Sequence, residues 1–338
     1  MKGIMNSIKP LVLVSLLAAT GITGCMTVAV KRDITRASSA GFVPEVDEPS
    51  IRGALTLASP EQADVQGRFT LSPDGKYIVF SARQEASSYA VCYLWKTPIA
   101  GGAPTKLTSG GEVHCTSPSF TADGKKIVYC AGGVIWKIRQ DGAGGRTRLP
   151  GSGMGKDMSP NVSSKDKILF CSVRSSRVRS NTGYYRTQKT HFIWTCGVNG
   201  SDLTQMREGR HPMWSPDGSL IVFSHKSDIW SMKEDGTELM QLTNTPDFTE
   251  GIPSFSANGT RIIFTSNESE DRQTSKDFNI WTMNPDGSEK SQITELNSWD
   301  SWPIWGKNGI FFLSGRASRD SGHNIQKIWR IQQKAEAK

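Results

Sequence analysis

Along the chain, one short alternation of polar and apolar positions returns six times. A polar turn is followed at once by an apolar run, and after a gap by a second apolar run built around a tryptophan. The copies are LSPDGKYIVFS from Leu71, FTADGKKIVYC from Phe120, VSSKDKILFCS from Val162, WSPDGSLIVFS from Trp214, FSANGTRIIFT from Phe255 and WGKNGIFFLS from Trp305. Runs such as YIVF, KIVY and LIVF are β-branched and aromatic without alternation, which predicts a strand buried on both faces. The turn dipeptides are Asp74-Gly75, Asp123-Gly124, Asp217-Gly218, Asn258-Gly259 and Asn308-Gly309, with Asp166-Lys167 in the third copy. Asp-Gly and Asn-Gly tolerate the positive φ of a tight hairpin turn, so each copy predicts a β-hairpin.

Downstream of each hairpin stands one Trp in the same frame: Trp95, Trp136, Trp194, Trp230, Trp281 and Trp329. Their surroundings, as in VIWKI, DIWSM and NIWTM, predict a third strand, and six Trp in one frame point to packing between units rather than to ligand contact. A second turn follows in five copies, at Gly101-Gly102, Asp141-Gly142, Asn199-Gly200, Asp235-Gly236 and Asp286-Gly287, and leads to a fourth strand ending in KLT, RLP, QLT or QIT. Four strands per unit at a period of about 40 to 50 residues is the signature of propeller blades. The fold class is therefore all-β, a six-bladed β-propeller. The sixth copy stops after its third strand, KIWRIQQ, and IRGALTLAS (Ile51 to Ser59) reads as the outer strand that closes the ring.

The combined pattern SPDG…IVF…IW…DG…QLT, over about Ile51 to Gln332, resembles the TolB-like propeller repeats. The resemblance implies the fold and a tendency to bind envelope partners; the propeller of TolB itself binds the lipoprotein Pal. TolB carries an α/β domain ahead of its propeller, and the short tether expected here is too small to form one.

The first residues predict export. Lys2 and Lys9 precede the apolar run Leu11 to Ala19, which is too short to span a bilayer, and ITGC ending at Cys25 resembles a bacterial lipobox. The expected layout is a signal peptide over 1–24, a tether over 25–50 after a lipidated Cys25, a propeller over 51–333 and a polar tail over 334–338. Met26 after Cys25 resembles an outer-membrane address, so the expected place is the outer membrane, facing the periplasm, with membrane attachment through the lipid.

Net charge is +8. For an exported, monomeric protein this excess favours an envelope protein or an anionic envelope polymer as partner, and argues against nucleic acid. Beyond Cys25 there are five cysteines, Cys92, Cys115, Cys130, Cys171 and Cys196, an odd number with no CxxC spacing.

Because SPDG recurs, its Ser and Asp read as turn scaffold. Function is expected on the opposite, irregular face, where the connections between blades vary in length. Asp157, Glu250 and Asp300 each stand three residues before a Pro. With Arg68, His114, Arg210 and His211 they make a candidate ring at the channel mouth, suited to a charged peptide or a cation; the plain alternative is that the acids cap backbone N–H groups. Trp299 and Trp302 flank Asp300 as candidate rim aromatics, while Trp305 reads as core. The longest insertion, in blade three, carries Arg174, Arg177, Arg179, Tyr184, Tyr185, Arg186 and Lys189 without an acid and predicts a flexible basic loop for anionic lipid headgroups, lipopolysaccharide or an acidic protein. No GxSxG, HExxH or P-loop occurs, and no cofactor is implied. The expected function is non-catalytic binding. The alternative is a propeller enzyme acting on carbohydrate, such as a metal-dependent oligogalacturonate-type lyase; of the five histidines, only His114 and His211 are expected near the channel.

Overall fold

A computed structural model describes residues 54–59, 63–83, 91–109, 114–153, 155–179, 184–268, 274–295, 299–315 and 325–332. Cys25, the signal peptide, the tether and the polar tail lie outside the described residues. All described regular structure is β, in six four-stranded antiparallel sheets.

Blade 1 is built from β2 (Thr70–Leu71), β3 (Tyr77–Arg83), β4 (Cys92–Pro98) and β5 (Thr105–Lys106). Blade 2 follows with β6 (Thr116–Phe120), β7 (Lys126–Ala131), β8 (Val134–Arg139) and β9 (Thr147–Arg148). Blade 3 holds β10 (Lys156–Val162), β11 (Lys167–Arg179), β12 (Tyr185–Gly197) and β13 (Thr204–Glu208). Blade 4 holds β14 (Arg210–Trp214), β15 (Leu220–His225), β16 (Asp228–Lys233) and β17 (Met240–Gln241), and blade 5 holds β18 (Glu250–Phe255), β19 (Ile262–Glu268), β20 (Thr274–Met283) and β21 (Ser291–Gln292). Blade 6 takes β22 (Asp300–Gly306), β23 (Gly309–Ser314) and β24 (Lys327–Gln332) from the end of the chain. Its outer strand is β1 (Ala54–Leu57), paired from Ala54↔Gln332 to Leu57↔Trp329. The ring is thus closed by the expected segment, and no blade is left with three strands.

The six tryptophans sit in one register, each opposite an aromatic of the second strand. The pairs are Phe80↔Trp95, Tyr129↔Trp136, Phe170↔Trp194, Phe223↔Trp230, Phe264↔Trp281 and Phe312↔Trp329. Each Trp also packs onto the preceding blade: Trp136 against Val79 and Leu94, Trp281 against Val222 and Ile229, Trp95 against Phe311 and Ile328. Burial of such a side chain stabilises the ring by roughly 2 to 3 kcal/mol. The core is therefore a set of six seams between blades, and Trp214 and Trp305 belong to two of them.

The SPDG turns differ from the tight two-residue form expected. Gly75 donates its N–H to the Ser72 carbonyl at 2.8 Å, and only the glycine adopts positive φ (74°). Ser72 Oγ donates to Asp74 Oδ1 at 2.5 Å and accepts from the N–H groups of Lys76 and Tyr77 at 3.1 and 2.9 Å. Ser215 and Asp217 repeat these contacts at the blade 4 turn. The hydroxyl is spent on the turn, which places the motif in the scaffold. In blade 3 the turn is shorter, and Asp166 itself takes the left-handed position (φ 56°), one place from the frame expected. In blade 6, Gly306 pairs with Gly309, so Gly309 already lies in β23 and the tip is Lys307-Asn308.

The inserted segment of blade 3 is a regular two-stranded ribbon rather than a flexible loop. β11 and β12 pair without interruption from Lys167↔Gly197 to Arg179↔Tyr185.

Candidate functional site

In five blades the inner strand carries a residue followed by proline, at Ser117, Ser159, His211, Ile252 and Trp302, and all five adopt positive φ between 51° and 53°. The pairing to the second strand skips there, for example between Arg210 and Met213 and between Ser301 and Ile304. Proline cannot donate to the ladder, so a bulge forms, and the bulge re-aims the residue before it. A left-handed conformation costs an L-residue about 1 to 2 kcal/mol, and such strain gathers at sites that use it. Blade 1 departs from the rule: Gly67 takes the positive φ (66°) and Arg68 follows without a proline.

Three of these turned residues come together with Arg68. Arg68, His211, Ile252 and Trp302 line one small cavity of about 10 Å³, room for a single water. Arg68 is 5% exposed and reaches across the ring. Its Nη1 donates to the Pro160 carbonyl of blade 3 at 3.1 Å, and its Nη2 lies 2.7 Å from Met213 Sδ of blade 4. Among the described residues no carboxylate offsets this charge, and burial pushes its pKa down to about 10. The His211 ring meets Trp302 edge-on at 5.1 Å, and His211 Nδ1 is buried without a hydrogen-bond partner.

Above this floor lies a cleft of about 700 Å³ shared by blades 3 to 6, with His211 and Ile252 common to both. It opens on the irregular face. One wall is β12 through Gln188, Lys189, Thr190 and His191; the others include Arg210, His225 and Lys226, Glu250, Phe278, and Trp299 with Asp300. Lys226 and Ser227 form a two-residue turn, both with positive φ (49° and 69°), which sets Lys226 at the rim. Trp299, 53% exposed, lies against Phe278 with ring centroids 5.0 Å apart.

The cleft mixes charges, with Lys189, Arg210 and Lys226 beside Glu208, Glu250 and Asp300. Burial, then Arg210, Arg68 and His191, push His211 down to about 4. His191 is lowered by burial and by Arg210 and Lys189, and His225 by burial and Lys226 with Glu208 opposing. At all three imidazoles burial is the largest cause, and neighbouring cations add to it.

The candidate ring residues fall into different places. Arg210, His211, Glu250, Asp300 and Trp299 line the cleft, and Arg68 and Trp302 the cavity beneath it. Asp157 lines neither: its Oδ2 accepts the Gly153 N–H at 2.5 Å, a capping role. Glu250 accepts from Lys290 Nζ at 3.2 Å, and the same Nζ reaches Glu268 Oε2 at 2.5 Å. Burial nevertheless raises the Glu250 pKa. His114 is exposed and outside the cleft. The structure instead adds His191 and His225, which the sequence placed at strand ends away from the channel. Both ends point to the irregular face, and counting strand direction through blades 3 and 4 would have found them. Of the basic insertion, Lys189 lines the cleft, Arg174 stacks on Trp194 at 5.2 Å, and Tyr184 and Tyr185 are 78% and 69% exposed. Arg177, Arg179 and Arg186 stand exposed along the ribbon. The five described cysteines are buried thiols, not disulfides.

Neither a known family profile nor a curated protein sequence matches this chain. Its fold does match solved structures. A TolB candidate from Agrobacterium tumefaciens superimposes with a TM-score of 0.54 at 18% identity, over 81% of this chain and 91% of that one. An oligogalacturonate lyase in complex with manganese gives 0.56 at 14% identity, over 86% and 96%. A gluconolactonase from Xanthomonas campestris gives the same values, 0.56 and 14% over 86% and 96%. Such identities establish the fold alone. For the manganese of the lyase there is no fitting ligand set: among the described residues, no group of three His, Cys, Asp or Glu could hold a metal ion. The chain is a six-bladed, all-β propeller of the TolB-like fold.

Proposed function

We propose that this chain is an envelope lipoprotein whose propeller binds an anionic partner, a protein or an envelope polymer, on its irregular face, as a scaffold rather than as a catalyst. Cys25 would anchor it to the outer membrane, facing the periplasm. The observation that carries the reading is the acid-free stretch Lys167 to Gly197, whose ribbon walls a cleft that also holds Arg210 and Lys226. A ligand carboxylate, sulfate or phosphate at the ribbon side of this cleft gains from Lys189, Arg210 and Lys226 only where it keeps clear of Glu208, Glu250 and Asp300. Trp299 and Phe278 offer an apolar platform beside them.

The test is crosslinking in intact cells, comparing wild type with Arg177→Glu/Arg179→Glu/Lys189→Glu. The reading expects the main adducts to vanish in the variant while the protein stays folded and membrane-bound. Adducts that persist unchanged would place the partner elsewhere. Cys25→Ser tests the anchor, since a protein that still fractionates with membranes is held by something else. The alternative, a metal-dependent lyase, would return if elemental analysis found a stoichiometric transition metal that is lost in His211→Ala.

A further inference from the structure

We propose that the outer edge of β12, from Tyr185 to His191, is a docking edge for an extended acidic peptide, which joins blade 3 as an additional strand beside the cleft. The proposal rests on the irregular face being an anion-binding surface, and adds the form the ligand takes there.

The ribbon of β11 and β12 outruns the rest of its sheet. β13 accompanies β12 only as far as Phe192↔Glu208, and the His191 carbonyl takes the last bond, from the Gly209 N–H at 3.0 Å. Toward the tip, among the described residues, β12 is paired to β11 on one side alone. In an antiparallel strand the N–H and C=O of one residue point the same way and alternate residues point oppositely. Since the His191 carbonyl points outward, so do the backbone groups of Lys189, Thr187 and Tyr185. This edge has the length of an ordinary strand.

The cleft touches four consecutive residues of β12, Gln188 to His191, and none of β11. Successive side chains lie on opposite faces of a strand, so the edge of the ribbon borders the cleft. An added strand would therefore lie along the cleft wall, where Arg210 and Lys226 stand among the carboxylates of Glu208, Glu250 and Asp300, so the attraction for an acidic strand comes from the ribbon itself.

Charge selects the occupant. Lysine and arginine on an open edge normally discourage pairing, and here two copies of the acid-free ribbon would repel each other. The same cations, Arg177, Arg179, Arg186 and Lys189, favour a strand that carries carboxylates. One feature thus rejects self-association and admits the acidic partner. Backbone pairing supplies affinity in this mode, and alternate side chains supply selectivity.

The probes are a fluorescein-labelled peptide alternating Glu and Thr, two versions of it N-methylated on one or the other set of alternate residues, and dextran sulfate, an anionic polymer without amides. Binding to the full chain is read by fluorescence anisotropy. The proposal expects the parent peptide to bind, methylation in one alternation to weaken it about tenfold, and methylation in the other to leave it unchanged. Thr187→Pro removes one outward N–H and leaves the bonds to β11 in place; it should weaken the peptide by a similar factor and leave dextran sulfate unaffected. Strand addition is overturned if the peptide binds equally in all three forms, or fails to bind while dextran sulfate does; the anion-binding reading survives both results. If neither probe binds, that reading falls as well.

Discussion

Arg68→Met isolates the energetics of the channel floor. The variant replaces a buried guanidinium by an uncharged chain of similar length. A fall in pKa from 12.5 to about 10 in the folded protein means that burying the charge costs about 3 kcal/mol. For a cation whose folded pKa is depressed, that cost is present at every pH below about 10, so measurements at pH 7 and 8 should agree. Against it stands the bond to the Pro160 carbonyl, worth about 1.5 to 3 kcal/mol because the donor is charged, with a weaker contribution from the Met213 sulfur. The two sides nearly cancel. Urea unfolding followed by tryptophan fluorescence should find Arg68→Met between unchanged and about 2 kcal/mol more stable than wild type. Arg68→Lys keeps the charge and loses the fork that spans blades 3 and 4, and should be less stable than the Met variant. A loss above about 2 kcal/mol in Arg68→Met would refute the reasoning and make the guanidinium a structural tie. If the expected result is found, the charge is kept for what binds above it.

Gly287→Ala should lower stability by more than about 2 kcal/mol, since the new Cβ would sit 2.5 Å from the Leu242 carbonyl oxygen at φ +87°. Gly236→Ala, at the same φ and turn position but 3.5 Å from the flexible end of Met206, should cost only the conformational part; equal melting temperatures for the two would discard the steric account. His211, with its folded pKa pushed down to about 4 from 6.5, contributes stability that is complete above pH 6.5 and lost as pH falls toward 4. The raised pKa of Glu250 acts with the opposite sign, so the measurement is the difference between wild type and His211→Phe; a difference that stays constant over this window contradicts the neutral, buried imidazole. The five buried thiols should be inert to a thiol reagent at pH 8 in the native protein and react fully in denaturant, because burial pushes Cys130 and Cys196 up to about 11 and Cys171 to about 12. Rapid native labelling would show that a seam between blades opens readily.

The blades were legible because each repeats the same local physics. A Gly that alone accepts positive φ, a run such as IVF buried on both faces, and a Trp opposite an aromatic are set by neighbours in the chain, and six repeats average out the copy that departs at Asp166. Even the closing strand could be found by noting which blade lacked one. The expectation of a flexible basic loop failed because a run of polar residues looks the same in a loop and in a ribbon; continuous pairing to Arg179↔Tyr185 is a property of two segments at once.

What the sequence by itself determined is the blade, its count and its closure, since all three follow from the spacing of turns and apolar runs. What only the tertiary structure decided is which side chains share a space. Asp157, Glu250 and Asp300 occupy the same place in the repeat, yet one caps a neighbouring loop, one meets Lys290, and only two reach the cleft. His191 and His225 join His211 there from different blades. The left-handed residues before proline turn Arg68's neighbours inward, although no local propensity favours that conformation. A ring brings residues far apart in the chain to one axis, and the pattern along a single strand carries no record of that meeting.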